Sequence, residues 1–326
     1  MYGEMLYRSG DRPQGKKFLQ AGILLEGPSI DQKMNILIML LNEQAQTPDP
    51  SLEPLVTYMM EAFPTEAKSY SIAGDYYYKA GQLQKAIQSY QNTVSIDPNL
   101  YPVWNQILLL EYETQQWTSL QKDADAAAVV FPNQPLPYFF LALSENRAKQ
   151  YKIALEHLDQ CANVLVNDPG LLAEVWVQRG VAAFGLGQTE TGLAHFKKAL
   201  ELSKSNPAVE LQYLHQLFTQ QIEVKSAMAR LRELRQISPD NDLYKQEEAF
   251  AQFQAGNYQQ GLEVLKTVQN QNLLKSSSFH ELLGDLYFKM GATQEAIKSW
   301  ELAQTFGEGS LQLAEKILKK TYVNPF

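Results

Sequence analysis

Tyr70-Ser-Ile-Ala73-Gly74-Asp75-Tyr-Tyr77, followed by Gly81, Ala86-Ile-Gln-Ser-Tyr90 and Asp97-Pro98, is the stretch that decides the fold. Far downstream the same order returns as His280-Glu-Leu-Leu283-Gly284-Asp285-Leu-Tyr287, then Gly291, Ala296-Ile-Lys-Ser-Trp300 and Ala303. Each copy reads as two helices. Small residues such as Gly74, Ala86 and Gly284 let the helices approach, and Tyr77, Tyr90 and Trp300 fill the gaps between them. Gly81 and Gly291 mark the turn, where a left-handed backbone is cheap for glycine. Proline after the second helix stops it.

Working outward, the pattern recurs at an interval of about 34 residues. Residues 101–132 keep Trp104, Trp117 and Pro132, with Leu108 and Leu120 in place of the small residues. Residues 135–168 carry Tyr138, Ala142, Tyr151, Ala154 and Ala162, then a short extension to Pro169. Residues 173–207 carry Trp176, Gly180, Gly187, Phe196 and Ala199. The copy at 208–239 is degenerate but keeps Ala227, Leu231 and Pro239; the one at 242–275 keeps Ala249, Gly256, Tyr258, Gly261 and Leu265. After 277–308, residues 309–320 read as one amphipathic helix with Leu311, Leu313, Ala314, Ile317 and Leu318 on its apolar face. Upstream, 31–42 and 51–63 form a divergent helix pair around Pro48-Asp-Pro50, and Gly3, Leu6, Gly10, Gly15, Leu19 and Gly22 fall in repeat register. In that register Met1 sits inside a first helix, which leads to the expectation that the chain is the C-terminal part of a longer repeat protein.

The spacing resembles the tetratricopeptide repeat, W-x2-L-G-x2-Y, A-x3-F and a terminal P. The resemblance implies an all-α, right-handed superhelical solenoid of helix pairs: divergent or partial repeats over 1–64, an array of about seven repeats over 67–308, and a capping helix over 309–321. Asn99-Leu-Tyr101-Pro-Val-Trp104, Phe131-Pro132-Asn-Gln-Pro135 and the C-terminal His280-Glu-Leu-Leu-Gly-Asp-Leu with Trp300 are similar to segments of large bacterial tetratricopeptide proteins of the cell envelope. That likeness implies a periplasmic or outer-membrane-associated protein, with the cytoplasm as the alternative. Gln212-Tyr-Leu-His215 and Gln246-Glu-Glu-Ala249 depart from the segments usual in that group.

Composition narrows the chemistry. Of 326 residues, 45% are hydrophobic, enough for a continuous core, and the net charge of −8 argues against a phosphate-backbone binder. Cys161 is the only cysteine, which rules out an intrachain disulfide or a thiolate zinc site and reads as a buried, inert thiol. The longest apolar run, Ile36-Leu-Ile-Met-Leu-Leu41, is far short of a bilayer span.

No catalytic constellation emerges. Gly10-Asp-Arg-Pro-Gln-Gly15-Lys16-Lys17 approaches a P-loop, but a helix precedes it and Lys17 stands where the magnesium-binding hydroxyl belongs. Gly185-Leu-Gly187 with Gly192 lacks dinucleotide-loop spacing and a leading strand. His157, His195, His215 and His280 lie in different repeats with no metal-binding spacing. The reading is a non-enzyme with no cofactor and no metal.

In tetratricopeptide arrays the first helix of each pair, helix A, lines the concave groove. The resemblance therefore implies a groove carrying Tyr78, Tyr112, Phe139, Leu143, Arg147, Val181, Phe184, Phe250, Phe253 and Phe288. This is an aromatic and aliphatic track, without the cationic clamp of chaperone-binding members, and it suits a protein or peptide partner. The expected function is a non-catalytic interaction scaffold. The alternatives are a structural subunit of a bacterial envelope complex, joined through the edge around Tyr2, Leu6 and Leu24, or a regulatory repeat domain of a larger protein. Nucleic acid is not an expected partner.

Overall fold

The structure, a computed structural model, describes residues 2–42 and 48–324; the register expected for Met1 lies outside the described residues. Among them are nineteen α-helices and two short 3-10 turns, with no strand. The opening helices are α1 (Tyr2–Ser9), α2 (Arg12–Ile23), α3 (Ile30–Asn42) and α4 (Glu53–Ala62). Then come the pairs α5 (Ala67–Lys79) with α6 (Leu83–Ile96), α7 (Tyr101–Glu113) with α8 (Trp117–Val130), and α9 (Pro135–Arg147) with α10 (Tyr151–Val164). They are followed by α11 (Pro169–Gly185) with α12 (Thr189–Leu202), α13 (Pro207–Gln220) with α14 (Val224–Ile237), and α15 (Asp242–Gln254) with α16 (Tyr258–Leu265). The series ends with α17 (Ser277–Lys289), α18 (Thr293–Thr305) and α19 (Leu313–Lys319). The all-α solenoid of helix pairs expected from the sequence is what forms.

Two compact units divide the chain. The first holds Met1–Glu111 with Val129–Phe131, the second Tyr112–Ala128 with Pro132–Phe326.

Three of the pairs close through a glycine. A Cβ on Gly74 would lie 2.4 Å from the Tyr90 ring, on Gly180 2.5 Å from Phe196, and on Gly284 2.4 Å from Trp300. A large ring on the second helix can sink against the backbone of the first only where no side chain stands in the way. In the first unit Gly15 does the same against the Tyr7 backbone, so α1 and α2 form a hairpin of the same kind. Both glycines of the P-loop lookalike are thereby accounted for: Gly10 makes the turn at φ +108°, Gly15 makes the crossing. Lys16 is spent on Asp49, whose carboxyl this bond holds down at about 2.

The turns are more regular than the sequence. Gly81, Gly187, Gly256 and Gly291 adopt positive φ where a left-handed residue ends the first helix, and so do Gln115, Lys149 and Gln221 in the copies without a turn glycine. The interval from Lys149 to Gly187 is lengthened by about one helical turn, and α11 runs to 17 residues. Asp168 caps that long helix by accepting from the Leu171 amide, with Pro169 in the first turn.

At the C-terminus the structure corrects the sequence reading. The expected 309–320 helix is only Leu313–Lys319, because Gly309 is left-handed and Ser310 is engaged elsewhere. Of its expected apolar face, Leu313 is buried, Leu311 is half exposed and Leu318 is 81% exposed. The residue buried beside Leu313 is Lys316, at 1%.

Candidate functional site in the helix A faces

The first helices of successive repeats in the second unit are linked by a run of side-chain pairs. Asn146 on α9 donates to the Gln178 backbone and side-chain oxygens on α11, at 3.0 and 3.1 Å. Gln212 on α13 donates to Glu174 on α11 at 3.2 Å. His215 on α13 meets Glu247 on α15 at 3.1 Å and stacks on Phe250 with ring centroids 4.3 Å apart. Gln246 on α15 donates to Ser278 on α17 at 3.4 Å. Lys316 on α19 closes the run by donating to Glu281 at 2.8 Å and to both Asp285 oxygens at 2.8 and 2.7 Å. The polar pairs fix the spacing of the A helices, and α19 takes the place of one more.

The predicted groove residues divide by burial. Tyr78 in the first unit and Tyr112 in the second are exposed, at 47% and 44%. Tyr112 is held rigidly, with its ring against Trp117 and Phe140. Leu143, Arg147, Val181, Phe250 and Phe288 are partly buried. Phe139, Phe184 and Phe253 are buried: Phe139 packs on Phe140, Phe184 stacks on Phe196, and Phe253 meets Tyr258 and Tyr322. The last three serve the core first, since their rings fill the space between neighbouring helices.

A buried cluster of charge, Lys316 with Glu281 and Asp285, lies at the C-terminal end of the second unit. Burial raises the Asp285 carboxyl to about 6 against the pull of Lys316, and Trp300 Nε1 donates to it at 2.9 Å. Glu281 also accepts from the Ser310 amide at 2.8 Å and from the Ser310 hydroxyl. Burial draws the Arg147 guanidinium down, with Glu308 and Glu281 opposing it, and Arg147 donates to the Gly309 carbonyl. Elsewhere in the unit the hydrogen bond that the His157 ring donates to Glu145 raises the His157 pKa, and burial pushes the Cys161 thiol up to about 12. An undissociated, enclosed thiol is inert.

Sequence reasoning missed Lys316 and Glu308. The available signal was a lysine on the Leu313 side of an amphipathic segment that follows two acidic groove positions. No group of three or more metal-ligating side chains occurs among the described residues, and no helix there is long and apolar enough to cross a membrane.

Comparison with known proteins agrees with this architecture. One family model, described as "Tetratricopeptide repeat", matches residues 67–100 and 173–206, and a second of the same description matches 247–309. Anaphase-promoting complex subunit cut9 from Schizosaccharomyces pombe is 27% identical over 155 residues, which cover 47% of this chain and 22% of that protein. The matched stretch thus spans less than a quarter of that curated relative. Among solved structures, a tetratricopeptide repeat protein from Parabacteroides merdae superposes with a TM-score of 0.54 at 12% identity, covering 81% of this chain and 98% of that one. Yeast Tom70 gives 0.53 at 12% identity, covering 94% of this chain and 62% of that one. These structural likenesses speak for the fold.

Proposed function

From the premise that this chain carries tetratricopeptide repeats, we propose that it is a non-catalytic scaffold holding a protein or peptide partner on its helix A faces. The observation that supports this reading is the exposure of large side chains at helix A positions, foremost Tyr112, pinned by Trp117 and Phe140 yet open to solvent. A preorganised aromatic loses little freedom on binding, and burying such a ring contributes roughly 1.5–3 kcal/mol. Phe250, Phe288, Val181 and Leu143 would add area around such anchors. Phe184 and Phe253 would act through packing.

The test is affinity capture from native cells with identification of partners, then repetition with Tyr112→Ala and Phe250→Ala chains of unchanged helicity. Retention of every partner at wild-type strength would refute the groove reading.

A second reading has its own observation. In α1, α2 and the turn after them, Tyr2, Met5, Phe18, Leu24 and Leu25 are all exposed, an apolar surface suited to a neighbouring subunit. On this reading the chain is a structural component of a complex, in the envelope setting that the resemblance implies. Cross-links confined to residues 2–25 would favour it over the groove.

A further inference from the structure

After α18 the chain does not simply end the stack. Gly307, at φ +151°, lies against the Thr114–Gln115 turn, where a Cβ would come within 2.8 Å of Gln115. The Glu308 amide donates to the Gln115 carbonyl at 3.2 Å. The Glu308 carboxylate accepts from the Thr118 amide at 3.0 Å and from its hydroxyl at 3.2 Å. Arg147 reaches the Gly309 carbonyl while its guanidinium rests 5.1 Å from the Trp117 ring centre. The first and last helices of the second unit are thus tied together by a few residues of one linker. Beyond it Lys316 enters the Glu281–Asp285 pair, and Tyr322 lies on Phe253 with Lys289 4.0 Å from its ring centre.

This is not how a permanent cap is built. A cap buries its leucines and turns its charges outward. Here the segment has one apolar anchor, Leu313 against Ala296, Trp300 and Ala303, and beside it buries Lys316 as deeply, while Leu318 is left in solvent and Leu311 half exposed. The fit is also incomplete, since the Ser277 hydroxyl beneath Gly309 is buried without a hydrogen-bond partner. Docking by a lysine and a tyrosine onto helix A positions is the chemistry of a bound peptide.

We propose that residues 307–322 are an internal ligand of the α15–α17 helix A face, and that the external ligand of this face is a basic protein segment that displaces them. Such a segment offers a lysine or arginine to Glu281 and Asp285 and an aromatic ring to Phe253 and Lys289. The proposal rests on the scaffold reading above and names the chemistry of one part of it. Glu308, exposed and bonded to Thr118, with no bond to Glu281 or Asp285, is the latch that keeps the internal ligand in place.

The experiment uses the full chain and a fluorescent peptide copying residues 306–324. Wild-type chain is expected to bind it weakly. Glu308→Ala and Lys316→Gln chains, one freeing the latch and one vacating the acidic pair, are expected to bind at least tenfold more tightly. A peptide carrying Lys316→Gln is expected not to bind. Hydrogen exchange read in parallel should rise in 306–324 of the Glu308→Ala chain while α15–α18 stay protected. Equal peptide affinity in all three chains overturns the proposal. So does loss of protection throughout α15–α18, or failure of the variants to fold, because the segment would then be an integral cap. The probe is the chain's own sequence, so these failures leave the scaffold reading standing, whereas the Tyr112 substitution, away from the α15–α17 face, tests that reading alone.

Discussion

The hairpins at 67–98 and 277–308 are the same device in two settings. In each, a glycine admits an aromatic ring, and the ring's polar edge donates to the aspartate that follows the glycine. Tyr90 donates to Asp75 at 2.8 Å, Trp300 to Asp285 at 2.9 Å. Asp75 is exposed on its helix A face, whereas Asp285 is buried, with Lys316 across from it. The local motif builds the hairpin, and what covers its outer face is decided elsewhere in the chain. A groove position is therefore open or occupied for reasons its own repeat does not contain.

Removing the cover should break this comparison most sharply. Lys316→Ala takes the cation from the two carboxylates and lets the segment release, opening them to water, and is expected to cost about 1–3 kcal/mol of unfolding stability while α15–α18 keep their protection from exchange. Lys79→Ala, beside the open Asp75, gives up only its bonds to the Leu41 carbonyl and Asn42, and should cost about 0.5–1 kcal/mol by the same denaturant titration.

Burial raises both aspartate carboxyls, Asp75 with Tyr90 and Lys79 opposing and Asp285 to about 6. Asp285 titrates near 6 in the fold against 3.8 for the free group, so its favourable contribution is complete below its unfolded pKa and lost as pH rises through the folded one. Wild-type stability relative to Asp285→Asn should therefore fall between about pH 4 and 7, by at most about 3 kcal/mol. Urea midpoints across that range measure it; a constant difference between the two proteins would contradict it.

The shared part of the device should respond alike in both copies. Gly74→Ala and Gly284→Ala each drive a Cβ into a ring that has nowhere to go, with an expected loss of about 1–3 kcal/mol apiece. Closely matched shifts in thermal midpoint would sharpen the comparison, and a large loss in only one copy would break it. Within the device itself the smallest effect belongs to Tyr90→Phe, which removes only the donor to Asp75 and should cost about 1 kcal/mol.

How far the sequence carried follows from where each instruction is written. Gly74 with Tyr90 and Gly284 with Trp300 state their contact within one repeat, so the helix pairs and their crossings were legible. The left-handed turns at Gln115, Lys149 and Gln221 were not, because nothing in those side chains announces positive φ; the tertiary spacing of the pair imposes it. Periodicity placed Phe184 and Phe253 correctly on helix A, but it cannot say that neighbouring rings, Phe196 for one and Tyr258 and Tyr322 for the other, would enclose them. The C-terminal segment misled for a different reason. Its leucines suggested an apolar cap, yet the partners that decide its docking, Gln115, Thr118, Arg147, Glu281 and Asp285, are scattered along the chain.

Carboxyl footprinting of the intact protein, with carbodiimide coupling read residue by residue in the mass spectrometer, tests the difference between the two hairpins most directly. Asp75 should label readily, while Asp285 and Glu281 stay protected and become labelled in the Glu308→Ala chain. Equal labelling of Asp75 and Asp285 in the wild-type protein would contradict the occupied face at its root.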